Sequence, residues 1–596
     1  MGLIKTVKTG RASSPTTWLG GKIPSSSDSI IVSNKHTLTL DIDLSISGCL
    51  IESGGTLNFD AKKSVVLTTT KNVIVEGRFR MSPQNITVKH DLLFININEN
   101  NFSGETSNVL ENDIGLWVLN NGKLEIIGTK KTSWVRLKKA AKAGDTVIYL
   151  DRVPTGWTKC LLALAPTKKI DKSGFYNDFD LITINLSGAT DIIYLDKPLQ
   201  FDHPMMVNEK TGEEYGPELI NLTRNVRISG TGDGTANPLT NGRSHIHIKS
   251  TQKHILSYFR LRNMGPRKAS SKYTDFIPNR CALNFDHCNL AMSGSTIEGV
   301  VSMDSGNTSF LTNGTHGITY LDCVTYNTFE NQWRWDRPPN NGNDPVHNSN
   351  NITYDNCIAA LTKSDPPNIG VSLTDFEFGA GVGNKCINCV GIANQGGARS
   401  ANFGWPEWAN YLPNLWTFKN NLSHNNKTNG IMVWQNDPNK HLIERYSCFN
   451  CGEVGIEHGA YTNGYDYVKC YLYGNKVGIR LHANARPKIP LDVFGYRSSF
   501  IEIFSSDILH IVRHTLQNGG PTLFKDCNFS KITVDELPRR IPFAAGNFDF
   551  VDSNKSNDFN IIGIEEASRI RIQNKDECVE ITNLGINKIN NFFPLI

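Results

Sequence analysis

GITYLDCVTYN (317–327), NITYDNCIAA (351–360), NKCINCVGIAN (384–394), WTFKNNLSHNN (416–426), RYSCFNCGE (445–453) and YVKCYLYGN (467–475) repeat one pattern, a β-rich run closed by a polar, Asn-rich turn. Aligning the recurrent position gives Cys323, Cys357, Cys389, Asn421, Cys448, Cys470 and Cys527, spaced by 34, 32, 32, 27, 22 and 57 residues. The shortest gap suits one bare coil of a solenoid, and the longer gaps suit coils that carry loops. Four or five residues further on stand Asn327, Asn394, Asn426 and Asn475. Asparagine accepts left-handed backbone and can stack its amide from coil to coil. Cysteine, valine and isoleucine fit a narrow interior, where a free thiol behaves as a small hydrophobe. No segment sustains a capped helical stripe, whereas strand-length runs bounded by Gly, Asn and Asp dominate. A sandwich or propeller, the rival all-β architecture, predicts steadier spacing and hairpin turns. The reading is an all-β chain, a right-handed parallel β-helix.

Working outward, 596 residues exceed one ordinary compact domain unless that domain grows by adding coils. The formal net charge of +4 is close to neutral for this length and speaks against a nucleic-acid or membrane-surface binder, which needs a concentrated basic excess. No run approaches the roughly 18 apolar residues of a membrane span. MGLIKTVKTGRASSPTTW at the start lacks the apolar core of a secretory signal, so export by another route, such as a virion, is one expectation and a signal removed earlier is the other. The 13 cysteines are an odd number spread along the chain, unlike a disulfide framework. Cys386/Cys389 and Cys448/Cys451 could be half zinc sites, but the coil repeat accounts for them as interior thiols. P-loops, G-x-S-x-G elbows and H-E-x-x-H motifs are absent, and no metal or cofactor is expected.

Residues 16–81 carry Trp18, Gly20–Gly21, Pro24, Asp28, an alternation running into Leu40–Asp41, Gly54–Gly55 and Gly77. This pattern resembles the domain named for its eight glycines, found in cell-surface hyaluronidases, their cell-migration-inducing relatives and fibrocystin. Ser27 and Asn34 stand where further glycines are usual. The resemblance continues in order through GKLEIIG (122–128), SWVRL (133–137), AGDTVIYL (143–150), KPLQFDH (197–203), LTRNVRISGTGDG (222–234) and RNMG (262–265), and covers roughly residues 16–365. It implies histidine-bearing blocks on successive coils. Here those blocks read Arg280-Cys281-Ala282-Leu283-Asn284-Phe285-Asp286, Thr312-Asn313-Gly314 and Glu330-Asn331-Gln332-Trp333-Arg334-Trp335-Asp336-Arg337. Asn284, Asp286, Asn313 and Asn331 replace histidines of the resemblance, while His245 and, less closely, His203 match. His287 and His316 are alternatives after a small register shift. A carboxamide neither transfers protons nor binds a transition metal usefully, so chemistry dependent on that cluster is largely lost.

What remains suits a sugar. Trp333 and Trp335 can stack on a ring, and Arg334, Arg337 and Asp336 can pair with carboxylates and hydroxyls. Arg280, Asn284, Asn313 and Asn331 complete the candidate binding set. Asp286, Asp336 and His245 are the candidate catalytic groups, since a glycosidase needs two carboxyls. Arg260, Arg262, Arg267 and Lys268 would suit an acidic polysaccharide or form a solvated charged run. The aromatics Phe403, Trp405, Trp408, Tyr411 and Trp416 are either a sugar-binding loop or a packed one. The expected organisation is an eight-glycine-type β domain at 1–140, a β-rich insertion at 141–220, the β-helix at 221–500 and a β-rich closing segment at 501–596. Two functions stay open: a surface or virion β-helix that binds polysaccharide, possibly acidic, or a hyaluronidase-like depolymerase, hydrolase or lyase. Homo-oligomer or virion assembly is open too; nucleic acid and membrane insertion are not expected.

Overall fold

The computed structural model describes residues 2–169, 178–186, 188–208, 212–231, 242–268, 277–334, 348–363, 373–397, 399–405, 416–433, 440–458 and 464–481, with strands at 500–505, 522–525, 528–529, 547–551, 567–573 and 578–584. It is a right-handed parallel β-helix, all-β among the described residues apart from short 3-10 turns. Each coil contributes one strand to each of three parallel sheets. Phe310–Thr315, Ile318–Leu321 and Val324–Thr328 form one such coil, and each pairs in parallel with its counterpart on the coils before and after. The stack begins within the N-terminal region, where Ser29–Val32, Thr37–Leu40 and Leu44–Ile46 pair with the next coil. Beyond residue 500, Phe500–Ser505 still pairs in parallel with the preceding coil, and Ala567–Gln573 meets Cys578–Leu584 antiparallel.

Alternation along each strand sends every second side chain inward, and parallel register stacks like on like. One interior column is aromatic: Phe310, Trp333, Phe376 and Phe403 occupy matching positions, with centroids 4.4, 5.5 and 5.2 Å apart and near-parallel rings. A second column begins Cys323, Cys357, Cys389, Asn421, as the repeat predicts, but continues Tyr446 and Cys470. Cys448 is a correction to the repeat, because it pairs with Ser423, two positions further along its strand. Tyr446 fills the column position, so the last two coils are nearly equal in length. Eleven cysteines, from Cys49 to Cys470, are buried free thiols, including both C-x-x-C pairs. Cys527 lies outside the described residues.

The corner before that column is the strictest position in the coil. Asp322, Asn356, Asn388, Asn420, Arg445 and Lys469 all adopt left-handed backbone, with φ between 50 and 57°. Each of Asp322, Asn356, Asn388, Asn420 and Arg445 donates its N–H to a carbonyl of the following coil. Asparagine dominates because its short side chain tolerates this region at the least cost. Here it also forms a ladder: Asn388 Nδ2 donates to Asp355 Oδ1 at 3.0 Å, and Asn420 Nδ2 to Asn388 Oδ1 at 3.3 Å. At the next corner Asn327 and Asn425 are left-handed. Asn394 and Asn426 follow the left-handed residue and turn inward, where Asn426 Oδ1 accepts the Asn394 N–H at 2.9 Å. The recurrent asparagines therefore serve two purposes, turning the chain and satisfying buried amides.

Between Lys123–Ile127 and Val226–Ser229 the coil opens into an insertion. Its antiparallel sheet joins Trp134–Arg136, Glu218–Asn221, Lys159–Leu164 and Asp180–Asn185. Trp134–Arg136 joins this sheet because its partner strand, Glu218–Asn221, lies at the insertion's far end. Ala163, Ile220 and Met206 pack on the outer face of the third sheet, against Val301, Val324, Ile358 and Val390.

Trp333 is fully buried between Phe310 and Phe376. Trp333→Ala should lower the unfolding free energy by about 3–5 kcal/mol through the cavity it leaves. Urea unfolding checks this, and a loss below about 1 kcal/mol would contradict the placement.

Candidate functional site

The family-like blocks converge on the outer face of the first sheet, where His247, Asn284, Leu311 and Arg334 occupy matching positions on successive coils. That face is covered around Arg280 and Asp286. The segment 99–113 lies over it, organised by Asp113, which accepts the N–H groups of Ser103 and Gly104 at 2.8 and 3.0 Å. Arg280 donates to Asp113 Oδ2 at 2.7 Å and to Thr106 O at 3.0 Å, with its guanidinium 4.6 Å from the Trp117 ring centroid. His245 contacts Asp113 O through Nε2 at 3.0 Å and meets Trp117 edge-to-face; burial, then Arg280, keeps it neutral well below the usual histidine range.

Asp286 is the centre of this closure. It contacts His287 Nδ1 at 2.6 Å, accepts from Asn313 Nδ2 at 3.1 Å, and accepts the Ser107 hydroxyl of the overlying segment. His247 Nε2 stands 3.3 Å away, poorly aimed for a hydrogen bond. Asn284 donates to His247 Nδ1 at 3.3 Å, which leaves the Nε2 proton facing Asp286. Burial opposes ionisation of Asp286, but His247, His287 and Ser107 together hold it well below the usual carboxylate range. One coil block further, Asn331 bonds Glu377 and accepts the Thr374 N–H at 2.8 Å, while Arg334 Nε pairs with Glu377 Oε2 at 3.2 Å.

The sequence reading is corrected at several of these residues. Trp333 cannot stack on a sugar, because alternation points it into the core. Arg280, Asn284, Asp286, Asn313, Asn331 and His245 are each buried and engaged by protein groups rather than lining an open groove. Arg334 is partly exposed beside Glu377. Trp335, Asp336 and Arg337 lie outside the described residues, as do Trp408 and Tyr411. Phe403, Trp405 and Trp416 are core. His203 is buried within the insertion against Asp180, and His316 accepts the Asn350 N–H. Of the basic cluster, Arg262 pairs with Asp304 and Arg267 with buried Glu330.

A second, open site lies where the insertion meets the corner ladder. Trp134 Nε1 donates to Asn356 O at 3.0 Å, Tyr215 Oη meets Ser447 Oγ at 3.3 Å, and Tyr471 Oη donates to Val207 O at 3.3 Å. Between these bridges runs a cleft of about 710 Å³, lined by Trp134, Arg136, Tyr215, Asn356, Asn388, Asn420, Arg445 and Lys469 among others. Asn388, Asn420, Arg445 and Lys469 are exposed there. Arg136 lies 5.1 and 5.5 Å from the Trp134 and Tyr215 ring centroids and pairs with Glu218 Oε1 at 2.9 Å. Glu218 also contacts His424 Nε2 at 3.1 Å; against burial, His424 and Arg136 hold its carboxyl at about 2. The Cys and Asn repeat marks these segments in sequence, but the ladder residue stands one place before the column and carries no repeated residue type across all coils. Among the described residues no group of three or more His, Cys, Asp or Glu gathers as a metal site would require.

The fold and both faces define a parallel β-helix protein with a domain inserted in one coil. Residues 17–138 match the family model of the G8 domain, at the start of the solenoid. No curated protein matches the chain. Among solved structures, it is similar to the Gp54 tailspike of Acinetobacter baumannii bacteriophage AP22, in complex with A. baumannii capsular saccharide, at 8% identity over 87% of this chain and 74% of that one, with a TM-score of 0.29. It is also similar to the tailspike gp49 of Pseudomonas phage LKA1 (9%, 91% and 75%, 0.22) and the siphovirus 9NA tailspike receptor binding domain (10%, 90% and 75%, 0.24).

A buried acid on the interior of the coils gives a pH signature. Asp375 accepts from Gln332, Asn394, Thr362 and Asn402, yet burial outweighs them and raises its carboxyl to about 7. The folded state thus holds a proton that the unfolded chain releases near 3.8. Its contribution to stability is complete below the unfolded value and is lost as pH rises through about 7. Asp375→Asn should therefore flatten the fall in melting temperature between about pH 5 and about pH 8. Parallel wild-type and variant curves would contradict this.

Proposed function

We propose that this chain is a polysaccharide-binding β-helix protein, acting at a cell surface or on a virus particle, and that it holds the glycan in the cleft between the insertion and the solenoid. The observation that carries the reading is the cleft's composition: exposed amides on successive coils beside aromatic rings and cations. An amide both donates and accepts, which matches hydroxyl groups, and the partly exposed Tyr215 ring adds apolar surface beside them. Coils succeed one another at a constant spacing, so a repeating polymer meets a repeating wall.

Cleavage is the less supported alternative. It needs two carboxyl groups flanking a sugar, whereas Asp286 is enclosed by Ser107, His287 and Asn313. Binding without cleavage follows more directly from the groups that face the cleft.

The test is the double variant Asn388→Gly/Asn420→Gly. Glycine keeps the left-handed corner without strain and removes both amides. Two neutral hydrogen bonds of about 0.5–1.5 kcal/mol each correspond to roughly a tenfold loss of polysaccharide affinity. The melting temperature should fall only modestly, through loss of the ladder bonds from Asn388 to Asp355 and from Asn420 to Asn388, and circular dichroism should show the fold retained. Unchanged affinity against a glycan bound by the wild type would place the site elsewhere.

A further inference from the structure

We propose that the polysaccharide is acidic and lies extended along the solenoid axis, with its anionic groups at Arg445 and Lys469. This rests on the reading of the cleft as the glycan site and names the class of glycan and its direction.

The argument starts from the corner. Asn356, Asn388, Asn420, Arg445 and Lys469 occupy one position on five successive coils, joined in order by backbone hydrogen bonds. Four steps of about 4.8 Å give a wall roughly 19 Å long, parallel to the axis. A short run of pyranose rings fits such a wall when the chain is extended. The wall is chemically directional: amides occupy its first three coils and cations the last two.

The cations sit where the backbone does not favour them. Arg445 and Lys469 have φ of 50 and 55°, a region that disfavours long side chains and that three preceding coils fill with asparagine. Strain of this kind concentrates at functional positions. Corner turning is therefore satisfied better by Asn, and the retained charge points to a ligand.

The nearby acids do not cancel that charge. Glu444 binds Lys419 at 3.0 Å and reaches Arg445 only at 3.9 Å. Arg136, the third cation of the cleft, is already matched by Glu218. Among the described residues that line the cleft, Glu213 is the one acid, against Arg136, Arg445 and Lys469. A guanidinium binds a carboxylate through paired N–H donors, while an ammonium acts as a point charge. A uronate-bearing polymer presents the carboxylates this pair can take, and its hydroxyls fall to the amides.

The experiment compares Arg445→Asn/Lys469→Asn with the wild type on polygalacturonate, hyaluronan, neutral dextran and dextran sulfate. Asparagine suits the left-handed corner, so the melting temperature should not fall, and circular dichroism verifies this. The expected result is binding of one or both uronate polymers by the wild type, with at least about a tenfold loss in the variant, as charge-assisted hydrogen bonds are the strong ones. Wild-type preference for neutral dextran, an unchanged uronate affinity in the variant, or equal binding of dextran sulfate and the uronates would overturn the proposal while leaving polysaccharide binding intact. Failure to bind any of the four polymers would remove both readings together.

Discussion

Every coil of this protein can bury its inward face only against the coils above and below it, and the backbone ladder fixes how they meet. Parallel pairing in three sheets repeats the same positions at the same corners. A corner that turns in one coil must turn in the next, and the left-handed φ is inherited along the stack. From this follow the asparagine ladder, the aromatic and thiol columns inside, and the straight walls on which any ligand would lie.

The outer faces are used unequally. On the first sheet, polar residues tie down the segment 99–113: Asp113 and Arg280 form a fully buried ion pair, and Asp286 gathers its partners beneath the cover. Removing one member of such a buried pair leaves an uncompensated charge, so the pair secures the segment more than it strengthens the fold. The third sheet instead receives the inserted domain through an apolar contact. The edge of that contact leaves the cleft open beside the corner ladder. The proposed glycan site is thus a seam between two structural units, where concave sites commonly form.

Much of the fold was legible because the coil repeat is a sequence repeat. The positions of Cys323, Cys357 and Cys389 carry the register by themselves. The register slipped at Cys448, where a thiol two residues beyond Tyr446 imitated the pattern. The G8 match over residues 17–138 was legible from the spaced glycines. The site was less so. Asn284, Asp286 and Asn313 look the same in sequence whether solvent or a segment nearly 180 residues away covers them, as Ser107 does for Asp286. Trp333 was misjudged because alternation gives two faces but not which one is inward. The cleft depends on docking between Trp134 and Asn356, a contact across 222 residues that no local pattern announces.

The most direct test of the account is hydrogen exchange with and without a bound polysaccharide. If the glycan occupies the cleft, added protection should concentrate in peptides spanning 385–392, 417–424 and 443–449 and in Trp134–Arg136, while 282–289 and 310–315 stay unchanged. Protection confined to the first-sheet peptides, with none along the corner ladder, would contradict it.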